Sequence, residues 1–154
     1  MSYHVTILRT KEGTRIPISR GEIESVIASR KDLQAKPGRD GELYITPLAA
    51  DHPGPTLIWE GGEIWSRNPD DATLALMLEL AAAMGARVRG DELETYRTVD
   101  ETYQHPDDRA EIEAAQREAR ENVRRTRRRQ WALNAAIFGA FVLFAFIVAY
   151  FSKR

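Results

Sequence analysis

The chain contains no cysteine. Disulfides, thiolate zinc sites and cysteine nucleophiles are excluded by that, and a small disulfide-stapled secreted scaffold is not the expectation. Phenylalanine is absent from the first 137 residues; Phe138, Phe141, Phe144, Phe146 and Phe151 all stand in the last 17. Enzyme signatures are absent as well: there is no G-x-S-x-G, no G-x-x-x-x-G-K-S/T, no H-E-x-x-H and no G-x-G-x-x-G. Histidine is scarce. His4, His52 and His105 fall about 50 residues apart, without the local spacing of metal ligands. No catalytic residue, metal or cofactor is therefore assigned, and the chain is not expected to be an enzyme. The opening MSYHVTILRTKEGT has no basic stretch followed by an apolar core, so no cleavable signal peptide is expected.

What the chain does have is an uneven layout of charge. Over its 154 residues the formal charge is −1, but residues 1–106 carry 17 acidic and 12 basic side chains, while 124–129 carry five arginines. No charge then occurs from Gln130 to Ser152. Trp131 to Phe151 is 21 residues, 11 of them Leu, Ile, Val or Phe. As a helix this stretch measures roughly 31 Å, close to the hydrocarbon thickness of a bilayer. It predicts a transmembrane helix over 131–151, with Trp131 and Tyr150 at the two interfaces and Asn134 as its polar intruder. Arg124, Arg125, Arg127, Arg128 and Arg129 would meet anionic lipid headgroups. The cation bias before the span predicts a C-terminal tail anchor in the inner membrane, the N-terminal domain in the cytoplasm and residues 152–154 beyond the membrane. Ala135 with Gly139 and Ala136 with Ala140 recur at the four-residue spacing that lets helices pack closely, which opens a homodimer. No aromatic residue interleaves with the arginine cluster, so nucleic acid is not an expected partner.

Between Pro106 and Gly139 there is neither glycine nor proline. His105-Pro106-Asp107-Asp108 reads as a helix start, with acids at the positive end of the dipole. Residues 105–130 are expected to form a charged stalk with a thin apolar stripe of Ile112, Ala115, Ala119 and Val123. A weak coiled coil and a solvated helix both fit that stripe.

Residues 1–104 read as a small α+β domain: a mostly antiparallel sheet with two helices. Val5 and Ile7 alternate with polar neighbours in a first strand. Ser19 and Glu22 form an S-x-x-E capping box, flanked by Ile18 and Ile23 as a hydrophobic staple, at the start of a helix reaching about Arg30. Pro37-Gly38-Arg39-Asp40-Gly41 is turn chemistry before a strand carrying Leu43 and Ile45. PTLIWEGGEIWSR is the clearest hairpin. A two-residue turn at Gly61-Gly62 sets Trp59 opposite Ile64, Ile58 opposite Trp65 and Glu60 opposite Glu63. One tryptophan then lies on each face, and a sheet backed by helices on one side covers one of them. Asn68 is expected to cap a central core helix that ends at Gly85, followed by a last strand over residues 86–89.

Function enters as three expectations. The first is a non-enzymatic protein-binding module, for which an immunity-type protein neutralising a toxin is one concrete form. Its contact candidates are Trp59, Trp65, Glu60 and Glu63, with Arg87 and Arg89 for an acidic group on an unidentified protein partner. The second is a structural tether that dimerises through stalk and anchor. The third is an enzyme acting on a membrane-delivered substrate with Glu60, Glu63, Asp51 and His52.

Overall fold

The structure, a computed structural model, describes residues 2–48 and 57–151, with the side chains of all of these except 128, 132, 133 and 135–151. The first strand, β1 (His4–Leu8), is followed by a small hairpin of β2 (Thr10–Lys11) and β3 (Thr14–Arg15), turned by Glu12 and Gly13 at φ 52° and 77°. Then come α1 (Arg20–Ala28), β4 (Leu33–Pro37), β5 (Leu43–Pro47), β6 (Leu57–Glu60), β7 (Glu63–Arg67) and α2 (Asp71–Ala83). The chain continues through β8 (Arg87–Gly90), β9 (Thr95–Tyr96), β10 (Thr102–Tyr103), a 3-10 turn (Pro106–Asp108) and α3 (Arg109–Phe151). Eight of the strands make one sheet in the order β10-β9-β8-β1-β7-β6-β5-β4, each pairing antiparallel. The expected mostly antiparallel α+β architecture is the one observed.

One face of this sheet holds the core. Val5, Ile7, Leu43, Ile45, Leu57, Ile64 and Val88 are each at most 2 % exposed, and the helices bring Ile23, Ile27, Leu74, Met77, Leu80 and Ala81 against them. Each such aliphatic side chain contributes roughly 1.5–3 kcal/mol through burial. That face is filled by aliphatic and methionine side chains, which is how a domain without phenylalanine closes its core.

Local signals set where the helices begin. Ser19 caps α1, its hydroxyl accepting from the Glu22 amide at 3.2 Å. The Glu22 carboxylate also pairs with Arg9, 2.9 Å away. At α2 the cap is Asp70, which accepts from the Thr73 amide at 2.8 Å, and not Asn68. Asn68 sits at φ 46° and exchanges hydrogen bonds with the backbone of Tyr3, so it ends β7 rather than starting a helix. Gly85, at φ 58°, closes α2, and the Ala86 amide reaches back to the Ala81 carbonyl at 2.8 Å, the Schellman arrangement. β8 is not the last strand, because β9 and β10 extend the sheet beyond it.

The chain divides into two units, Met1–Ala110 and Glu111–Arg154. The first therefore runs past residue 104 and takes in the 3-10 turn. The second is the body of α3, the single long helix expected after His105. One expectation about it is corrected: among the described residues no helix is long and apolar enough to cross a membrane. The transmembrane, tail-anchored reading of the chain is corrected by that finding. The described side chains of α3 are predominantly polar. From Glu111 to Arg127 the large aliphatics are Ile112 and Val123 alone, and nearly every position is exposed, so no apolar window forms there. The side chains of Arg128, Ala135, Ala136, Gly139, Ala140 and Tyr150, which carried part of the anchor and helix-packing expectations, lie outside the described residues. So does the short tail 152–154.

Candidate functional site: the sheet face opposite the helices

Strand alternation puts Thr6, Ile58 and Trp65 on the face that the helices do not cover. The registers join them into one row across the whole sheet: Tyr103, Thr95, Arg89, Thr6, Trp65, Ile58, Tyr44 and Lys36, each paired with the next. The hairpin register read from the sequence is the observed one, including Trp59 opposite Ile64 and Ile58 opposite Trp65.

The two tryptophans divide accordingly. Trp59 lies on the core side, packed against the cluster, and its indole N–H donates to the Ile18 carbonyl at 2.9 Å. The Ile18 amide in turn donates to the Gly62 carbonyl at 2.8 Å, so Trp59 ties the hairpin tip to the segment before α1. It is a packing residue. Trp65 stands on the opposite face, half-buried, with the His4 ring edge-on at 5.8 Å. Half-buried Thr6, Ile58 and Tyr44 continue the row beside it, and exposed Lys36 and Arg67 lie at its margins.

Glu60 and Glu63 face each other next to the turn as expected. Their like charges are relieved because Glu63 pairs with Arg15 of β3, leaving Glu60 exposed. Asp51 and His52, the other members of the conceivable catalytic group, lie outside the described residues. Among the described residues no group of three or more His, Cys, Asp or Glu side chains is placed to hold a metal ion.

Arg87 and Arg89 sit at the other end of the same face, and the structure gives them a role the sequence did not. Both side chains are about one-tenth exposed, and both bind Asp108 of the 3-10 turn, itself only 2 % exposed. Arg87 Nη2 donates to Asp108 Oδ1 at 2.7 Å and Arg89 Nη1 to the same oxygen at 3.1 Å; Arg87 Nη1 reaches the other carboxylate oxygen and Thr95. Thr10 donates to Asp107 at 2.6 Å beside them. Burial pushes the Asp108 carboxyl up, but Arg87 and Arg89 outweigh it and hold the group below the usual carboxylate range. The acidic group that these two arginines hold belongs to this chain. Asp108 read in the sequence as one more acid at a helix start; nothing local distinguishes it.

A second polar cluster was not visible in the sequence. The Tyr3 hydroxyl bonds Glu94 and lies 2.8 Å from the Tyr96 hydroxyl, in space left by Gly90, where any Cβ would collide with Glu94 and Tyr3. Burial and the Glu94 carboxylate raise the Tyr3 phenol, which stays protonated throughout the physiological range.

The chain matches no family model, no curated protein and no solved structure. The functional reading therefore stands on the geometry of this face.

Proposed function

We propose that the chain is a non-enzymatic protein-binding module that engages its partner through the sheet face carrying Trp65. The observation that carries this reading is the placement of Trp65 opposite the helices, in a row with Thr6, Ile58 and Tyr44. Aromatic and aliphatic side chains on rigid strands, bordered by charges, have the composition of an interface hot spot: a desolvated centre with a polar rim. The net −5 of residues 1–106 favours a partner with a basic surface. Neutralisation of a toxin is the concrete form in which this reading is best tested first.

The test is capture by the full chain against its Trp65→Ala and Trp59→Ala variants. Trp65→Ala is expected to lose the partner while keeping the melting temperature within a few degrees. Trp59→Ala is expected to lose stability, because it empties a core-side position and frees the Ile18 carbonyl. Retention of the same partner by Trp65→Ala would overturn the reading.

A second reading, self-association through α3, draws on Val123 and Trp131, which are 62 % and 75 % exposed. Sedimentation over a concentration range separates the two, since the binding-module reading requires no dimer.

A further inference from the structure

The turn end of the candidate face carries carboxylates beside its aromatic row. Glu63, Glu60 and Glu42 stand two residues along β7, β6 and β5 from Trp65, Ile58 and Tyr44, so strand alternation puts all three on the face of that row. Glu60 is opposite Glu63. The β5–β6 register, carried one pair beyond Leu43 and Trp59, sets Glu42 across from Glu60 on its other side. The three acids thus form a second row, parallel to the first and roughly 7 Å along the strands from it. His4 and Arg67, paired with each other, lie to the opposite side of Trp65. The face is therefore polar in both senses: acidic towards the turn, basic away from it.

Arg15 neutralises Glu63. Glu42 accepts from the Tyr44 hydroxyl at 2.7 Å, which is an uncharged donor, and Glu60 is exposed. Among the described residues no salt bridge reaches either of these two. The Glu42 hydrogen bond, partial burial and the charges of Glu42 and Glu60 push the Tyr44 phenol up against the opposing charge of Arg39, so both carboxylates act on this one ring. Gly38 adds no side chain beside them; a Cβ there would stand 2.9 Å from Glu42 Cβ and from Tyr44 Cε2. Cross-strand neighbours have Cβ atoms about 5 Å apart, so one cation can touch Glu60 and Glu42 together and relieve their mutual repulsion.

We infer that the segment seated on this face presents an arginine, its guanidinium between Glu60 and Glu42 and its methylene stem over Ile58 and Tyr44. The inference rests on the partner-binding reading of the Trp65 face and names the chemistry of that partner. A planar guanidinium can bridge two carboxylates and stack on an aromatic ring at once, which a compact ammonium cannot do. Its charge-assisted hydrogen bonds supply orientation, and the apolar row supplies the desolvated floor.

The test titrates the isotope-labelled full chain with a short capped peptide of alternating alanine and arginine, and with its lysine and citrulline counterparts. Saturable shifts of the Trp65 indole and of the Ile58 and Glu60 amides are expected with the arginine peptide, weaker binding with lysine and none with citrulline. Glu60→Gln and Glu42→Gln are each expected to weaken the arginine peptide about threefold or more, the scale of an exposed ion pair. Glu24→Gln removes the same charge from α1, on the other side of the sheet, and is expected to leave binding unchanged. Equal weakening by all three variants, lysine or citrulline binding as tight as arginine, or no saturable shift would overturn the inference. The partner-binding reading is decided separately: capture lost in Trp65→Ala but kept in Glu60→Gln and Glu42→Gln would retain that reading and reject this one.

Discussion

Asp108 shows how one acidic side chain can decide where a domain ends. Two arginines from the same strand converge on it in a nearly closed environment. Taking a single partner out of a buried ion group leaves the rest uncompensated, which typically costs roughly 3–5 kcal/mol. Asp108→Ala is therefore expected to lower the unfolding free energy by about that amount in urea titration of the full chain. A pH dependence accompanies it. The carboxyl is held below its unfolded value of ~3.9, so its stabilisation is fully present above that pH. It is lost as pH falls through the lower folded value. The Asp108→Asn variant should show less of this acid loss than the parent; an identical slope below pH 4 would remove Asp108 from the explanation.

At the scale of elements, the β6–β7 hairpin is the part most legible in the sequence, because its turn is two residues long and its pairing is local. The turn glycines are not equivalent. Gly61 and Gly62 both have positive φ, 60° and 88°, but a Cβ at Gly61 meets nothing within 4 Å, whereas one at Gly62 would stand 2.5 Å from Pro17 Cβ. Gly62→Ala should cost clearly more than Gly61→Ala in a thermal melt; the left-handed backbone alone costs about 1–2 kcal/mol at either. Equal losses would mean that Pro17 gives way freely. Other elements escaped the sequence for physical reasons. β2, β3, β9 and β10 are two residues each, too short for any alternation to register. β4 carries Gln, Lys and Pro among its five residues and exists through pairing with β5 at the sheet edge. At α2 the choice of Asp70 over Asn68 as cap was settled by the Tyr3 backbone, a contact 65 residues away in the chain. The candidate face divided in the same way. Placing the tryptophans on opposite faces followed from local register, while the burial of Arg87 and Arg89 depended on a distant turn that no periodicity announces.

For the whole molecule, the division after Ala110 assigns the 3-10 turn to the sheet unit. A fragment ending at residue 104 removes Asp107 and Asp108 and strands both strand arginines; one ending at 110 keeps them. The longer fragment should melt at a distinctly higher temperature, and equal melting points would show the turn to be dispensable. In the proposed reading, recognition belongs to the sheet unit. That conclusion rests on the two sides of one hairpin doing different work, Trp59 inward and Trp65 outward. The most direct measurement is site-specific photocrosslinking in cells, with a photoreactive phenylalanine analogue placed at position 65 in one full-length chain and at position 59 in another. A discrete protein adduct from position 65, absent from position 59, is the expected result. No adduct from position 65, or the same adduct from both, would contradict a partner-binding face at Trp65.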